Sequence, residues 1–262
     1  MSATFGPATA PGRLVRTART RQRRIGSIVG WGLTGACLAA LSIAMVWIIA
    51  VVVGRGLGAM RLSLFMQITQ GTGGGLLNAI EGTAVLSFGG LLLAVPIGIA
   101  AGAYIAGYSY TTWARITRFL SDVLVGMPSI VLGYFGYITM VQGLGWGFAV
   151  AAASIVLALI SLPYICRTTE LALAQVPNEL REAAYALGAG EARVLFRISL
   201  PVALPGVLTG ILLALAISVG ETAPLLYTAG WSNYLWNGHL THSPIGYLTY
   251  AIWTFINEPF AS

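Results

Sequence analysis

The chain has 262 residues, 57% of them hydrophobic and 8% charged. A soluble domain of this length carries about a quarter charged residues, so much of this surface faces lipid and a large water-soluble domain is excluded. The formal charge of +6 rests on arginine without a single lysine, and the arginines cluster between apolar runs, the pattern of membrane anchoring rather than of a nucleic-acid arm.

At roughly 20 apolar residues per crossing, the length holds about five or six spans. Residues 1–27 form a basic segment in which Arg13, Arg16, Arg19, Arg21, Arg23 and Arg24 have no acidic residue among them, which places it on the cytoplasmic side. The apolar run at 28–53 is too long for the core of a signal peptide and reads as a retained first span. The Gly-rich stretch at 71–75 reads as a flexible outer loop. No Lys and Ser or Thr follow it to complete a nucleotide-phosphate loop, so any ATP is bound by another chain. Further runs at 85–107, 119–141, 148–165 and 202–219 are each long enough, or nearly so, to cross. Pro96 and Pro128 are expected to kink their spans. With the amino terminus inside, twelve of the fourteen arginines fall on inner segments and only Arg55 and Arg61 on outer ones. The segment 247–260 is short and interrupted by Asn257, Glu258 and Pro259, and reads as an outer interfacial stretch carrying Tyr250 and Trp253. The expected architecture is an all-α integral membrane protein with five visible spans over residues 28–262.

Polar residues inside such a bundle are costly and mark function or pairing. Glu221 is the sharpest of them, because Gly220 and Pro224 loosen the helix around it and free backbone groups to face a cavity. Arg115 and Arg167 stand at inner ends of spans, where guanidinium groups could meet an anion, and Arg115 is read as an anchor. Asp122 is expected to pair with Arg118 one turn away, and Glu81 to be interfacial. Cys37 and Cys166 are too few for a disulfide framework or a metal site. His239 and His242 have no carboxylate or thiol cluster near them and read as surface residues, and no cofactor is expected. No His-Glu-x-x-His, Gly-x-Ser-x-Gly or paired intramembrane aspartate is present, which argues against an intramembrane enzyme.

Between the fourth and fifth spans lies a loop at 166–201. Its central helix is expected to be N-capped by Asn178 and stopped by Gly188, and a second short helix at 191–200 to be ended by Pro201. Leu180, Ala183, Ala184 and Leu187 fall on one face of the first helix by spacing, with Glu179, Arg181 and Glu182 around the other. The small alanines would let a partner approach closely.

Glu182, Ala183, Ala184, Gly188, Ile198, Leu200 and Pro201 stand at the spacing of the EAA motif, and this loop resembles that of the bacterial ABC-importer permeases. The resemblance implies a type I importer bundle in which this loop is the coupling helix, seated in a groove of a cytoplasmic ATPase. The run Gly220-Glu221-Thr222-Ala223-Pro224-Leu225-Leu226 is similar to the signature of the phosphate-specific PstA permeases. Val95-Pro96-Ile97-Gly98-Ile99, Pro128-Ser129-Ile130-Val131 and Arg167-Thr168-Thr169-Glu170 support the same resemblance, which runs from about Leu76 onward.

What the resemblance implies is phosphate import across a bacterial inner membrane, with Glu221, Thr222 and Arg167 on the substrate path. The implied partners are a second, PstC-like permease, two PstB-like ATPase subunits, a PstS-like extracytoplasmic phosphate-binding protein and the lipid bilayer, with no nucleic acid. The family carries an Arg shortly before the Gly-Glu-Thr run, where this chain has Ile217 and Ser218, and a sixth span not visible here. Permeation of molybdate, sulfate or phosphonate, and a truncated subunit that binds the ATPase without transporting, are the competing readings.

Overall fold

The computed structural model describes residues 18–70 and 73–257, so Arg13, Arg16, Gly71, Glu258 and Pro259 lie outside the described residues. The chain divides into two units, Met1–Met60 and Arg61–Ser262. The first holds α1 (Ala18–Ala59), a single 42-residue helix whose first turns carry the arginines from Arg19 to Arg24. Trp31, Leu41 and Trp47 are all at least 70% exposed. A helix that is apolar around its whole circumference is suited to lipid rather than to a water-facing surface.

The second unit begins with α2 (Leu62–Met66) and a small antiparallel hairpin of β1 (Thr69–Gln70) and β2 (Gly73–Gly74). The expected flexible loop is therefore partly ordered. Asn78 is the reason: its side-chain oxygen accepts from both the backbone N–H and the hydroxyl of Thr69, and its amide donates to the Ser232 carbonyl. Gly75 has no room for a side chain, since a Cβ there would run into the Gln67 backbone.

The bundle is organised around α3 (Leu77–Gly107) and α6 (Val150–Ala174). Along α3 a row of small buried residues repeats every fourth position: Gly90, Ala94, Gly98 and Gly102. Added Cβ atoms would stand 2.9 Å from the Leu157 Cβ at Gly90, 2.8 Å from Ile165 at Gly98 and 2.7 Å from the Thr169 Cβ at Gly102. The rising pairs show that the two helices run in the same direction at close approach. Between lipid-embedded helices the hydrophobic effect gives little drive, and it is close packing of this small-xxx-small kind that holds them. α9 (Leu200–Gly220) packs against both α3 and α6 and runs antiparallel to α6, with Gly210 against Thr168, Gly206 against Ala172, and Ser218 bonded to Ser161 at 2.8 Å.

The expected span at 119–141 is not one straight helix. It is α4 (Thr112–Gly126) followed by α5 (Ser129–Gly136), which passes into a π-helical stretch at Tyr137–Gly143, and the two halves meet at 99°. Pro128 causes the break: it has no N–H for the ladder, and it pushes Met127 into an extended conformation (φ −80°, ψ 131°). Among the described residues, four helices are long and apolar enough to cross a membrane, five if this bent pair counts as one.

The second correction concerns Pro201, which ends nothing. α8 (Glu191–Val194) runs through a π-helical turn at Leu195–Ser199 directly into α9, giving one 30-residue element from Glu191 to Gly220. Pro201 falls in the first turn after that wider stretch, where a missing N–H is tolerated. Beyond α9, α10 (Ala223–Thr228) lays Pro224 against Gly133 of α5, and α11 (Leu248–Asn257) follows a long loop.

Candidate substrate path and coupling surface

The end of α9 contains the break that the Gly-Glu-Thr-Ala-Pro run predicts. α9 stops at Gly220, Glu221 is extended (φ −71°, ψ 135°), and Thr222 accepts the Leu225 and Leu226 N–H groups on its carbonyl to start α10. Nothing stands within 4 Å of a Cβ built on Gly220. Glu221 is half-buried, with the Ser129 hydroxyl beside its carboxylate, and its backbone carbonyl accepts from the Thr249 hydroxyl at 2.8 Å. Among the described residues no arginine pairs with it. The structure therefore brings Glu221 and Thr222 together at a helix break, with the hydroxyls of Ser129 and Thr249 beside Glu221 and the backbone carbonyls of both residues engaged.

Arg167 lies elsewhere, toward the C-terminal end of α6. Its guanidinium and that of Arg118 both grip Glu170, each at 2.8 Å, and the Glu170 side chain is only 13% exposed. The expected Arg118–Asp122 pair does not form; Asp122 is exposed. On a helix the acidic member does better ahead of the basic one than behind it, and Glu170 on the neighbouring helix accepts from both Nε and Nη2 of Arg118 on its one oxygen Oε1.

The loop expected to couple to an ATPase folds as α7 (Asn178–Ala186), on which Leu180, Glu182 and Ala183 are exposed. Asn178 does not cap it; Pro177 occupies the cap position and no side chain accepts there. A proline's fixed φ makes it a ready helix entry without a capping hydrogen bond. Gly188 does stop the helix, at φ +79°, with the Ala189 N–H returned to the Ala184 carbonyl. Leu187 is 88% exposed, whereas Ala184 is buried at 6%. Ala184 thus turns inward from the edge of the stripe, and the outer surface is carried by Leu180, Ala183 and Leu187.

Behind α7 lies a cavity of about 380 Å³ bounded by Arg181, Tyr185, Glu191 and the inner end of α3. Arg181 donates to the Leu173 carbonyl and so ties α7 to α6. The Tyr108 hydroxyl donates to Glu191 at 2.6 Å, and this bond, with the carboxylate's charge, pushes the phenol's pKa up.

Residues 94–256, more than half of the chain and spanning both α7 and Glu221, match the model of the binding-protein-dependent transport system inner membrane components. The chain belongs to that family. Phosphate transport system permease protein PstA 2 of Mycobacterium bovis is 47% identical over 253 residues, 97% of this chain and 83% of its own length. Phosphate transport system permease protein PstA of Yersinia pestis is 44% identical over 225 residues, 83% of this chain and 74% of its own. Among solved structures, the inward-facing methionine ABC transporter MetNI overlaps 55% of this chain and 69% of its own at 25% identity, with a TM-score of 0.49. That overlap is too partial to carry an argument.

Four residues escape a linear reading of this family member. Glu170 is legible as part of a motif but not as the shared partner of two arginines. Ser161 and Ser218 meet across α6 and α9 from 57 positions apart. Tyr247, read as the start of an interfacial stretch, is 1% exposed and sits in the core with Leu86, Leu157 and Leu225. Its only sequence signal is the glycine before it, which lets the loop pass close to Asn78 and Ser232.

Proposed function

We propose that this chain is a transmembrane permease subunit of an ATP-driven importer of inorganic phosphate, passing the anion to the cytoplasm by alternating access. The observation that carries the reading is Glu221 at the break between α9 and α10, in a bundle 47% identical to a phosphate permease. A carboxylate there accepts a hydrogen bond from a protonated phosphate oxygen, which fully ionised sulfate cannot donate. Residues 28–262 form the transmembrane domain, residues 1–27 lie in the cytoplasm, and the membrane is the bacterial inner membrane.

ATP hydrolysis belongs to two separate ATPase subunits that take α7 in a groove, with the exposed Leu187, Leu180 and Ala183 as the apolar contact and Glu182 and Gly188 shaping the helix and its stop. A second permease completes the passage, and an extracytoplasmic binding protein delivers phosphate. The test is uptake of labelled phosphate by cells lacking their own high-affinity system and expressing this chain with those partners, with sulfate and molybdate as competitors. Saturable uptake, insensitive to both and lost when this chain is omitted, is the expected result. Absence of uptake beside an active homologue would identify a non-transporting subunit.

A further inference from the structure

Tyr247 is 1% exposed, and its hydroxyl has no hydrogen-bond partner among the described residues. Packing accounts for its ring, which joins the core cluster around Leu86 and Leu157 and meets Tyr250 edge-on at 5.6 Å between centroids. Packing does not account for the hydroxyl. Phenylalanine would fill the same space without burying an unpaired O–H, a cost that native interiors ordinarily avoid.

The place where that residue sits suggests a use for it. Tyr247 lines a narrow void, too tight to admit a water molecule, together with Thr83 and Ser87 of α3, Ser218 of α9, Glu221 and Thr249. Most of these polar groups are engaged. Thr83 donates to the Ala79 carbonyl and accepts the Leu248 N–H, Ser218 is bonded to Ser161, and Thr249 donates to the Glu221 carbonyl. The void lies against the one place where α9 is interrupted, and its lining holds hydroxyls and a carboxylate but neither arginine nor lysine.

We propose that this void is the closed form of the anion's passage, and that the Tyr247 hydroxyl donates to an unprotonated phosphate oxygen when the α9–α10 break opens it. Tyr247 and Glu221 then read complementary features of one anion. The phenol gives a proton to a bare oxygen, while the carboxylate accepts one from an acidic P–OH. The hydroxyl left unpaired in the closed state is the donor required in the open one. This inference rests on the phosphate reading and deepens it to a specificity-determining residue.

The experiment compares Tyr247→Phe with wild type in the complete transporter, reconstituted in proteoliposomes with its partner permease, ATPases and binding protein. It reads labelled phosphate uptake and the thermal unfolding midpoint of the purified complex. The expected result is a maximal uptake rate lower by about fivefold or more, the worth of one neutral hydrogen bond. The half-saturating phosphate concentration, which the binding protein sets, is expected to stay the same, and the midpoint to be unchanged or raised. Wild-type uptake by Tyr247→Phe would overturn the proposal, and so would a lowered midpoint, because the hydroxyl would then be a structural group. If wild type itself moves no phosphate, the functional reading falls first and this inference with it.

Discussion

At the scale of single residues, Glu170 and Glu221 show how differently two carboxylates in one bundle are held. Glu170 is shielded and shared by Arg118 and Arg167, so Glu170→Gln leaves two guanidinium groups facing an uncharged amide. Loss of about 1–3 kcal/mol is expected, seen as a lower unfolding midpoint in detergent. Asp122→Asn, at an exposed position without that pairing, should stay within about 0.5 kcal/mol of wild type. Glu221 has a hydroxyl beside it and, among the described residues, no cation paired with it. Its replacement by Gln should therefore leave folding intact and slow phosphate uptake by about tenfold or more, the value of a charge-assisted hydrogen bond of about 1.5–3 kcal/mol. Normal uptake by Glu221→Gln in membranes containing normal amounts of protein would remove the carboxylate from the path.

At the scale of elements, the contact of α3 with α6 depends on atoms that are missing. Gly98→Val would drive a branched side chain into Ile165, 2.8 Å from the Cβ position, and should destabilise the bundle by about 1–3 kcal/mol or more. Gly107→Ala, on the same helix but with nothing within 4 Å, serves as the matched control and should be silent. At α7 the informative residues are the exposed ones instead. Leu187 is 88% exposed, so Leu187→Asp should leave insertion and unfolding unchanged while abolishing co-purification of the ATPase. Retained ATPase would show that another surface carries the coupling.

At the scale of the whole molecule, the arginine asymmetry predicts which ends lie in the cytoplasm. With Cys37 and Cys166 replaced, a cysteine at Tyr234, a residue 75% exposed in the loop after α10, should react with a membrane-impermeant maleimide on intact cells. A cysteine at Leu187 should react only after permeabilisation. The reverse pattern would invert the topology and place α7 beyond reach of any cytoplasmic ATPase.

The membrane class, the positions of the apolar runs, the helix that Gly188 stops and the helix break at Glu221 could all be read from the residues. Each depends on local composition, on charge count or on the backbone chemistry of Gly and Pro, none of which needs a neighbour. Other features were decided only by the fold. Pro128 turns its span through 99° while Pro201 lies within a continuous helix, because a proline's effect depends on whether the surrounding turn can widen to receive it. Arg118 prefers Glu170 to Asp122 because α6 brings a shielded carboxylate within reach of both its Nε and Nη2. Tyr247 moves from an expected interface to the core because Gly246 lets its loop close over α3. These are choices between alternatives of similar local energy, and contacts between residues far apart in the chain decide them.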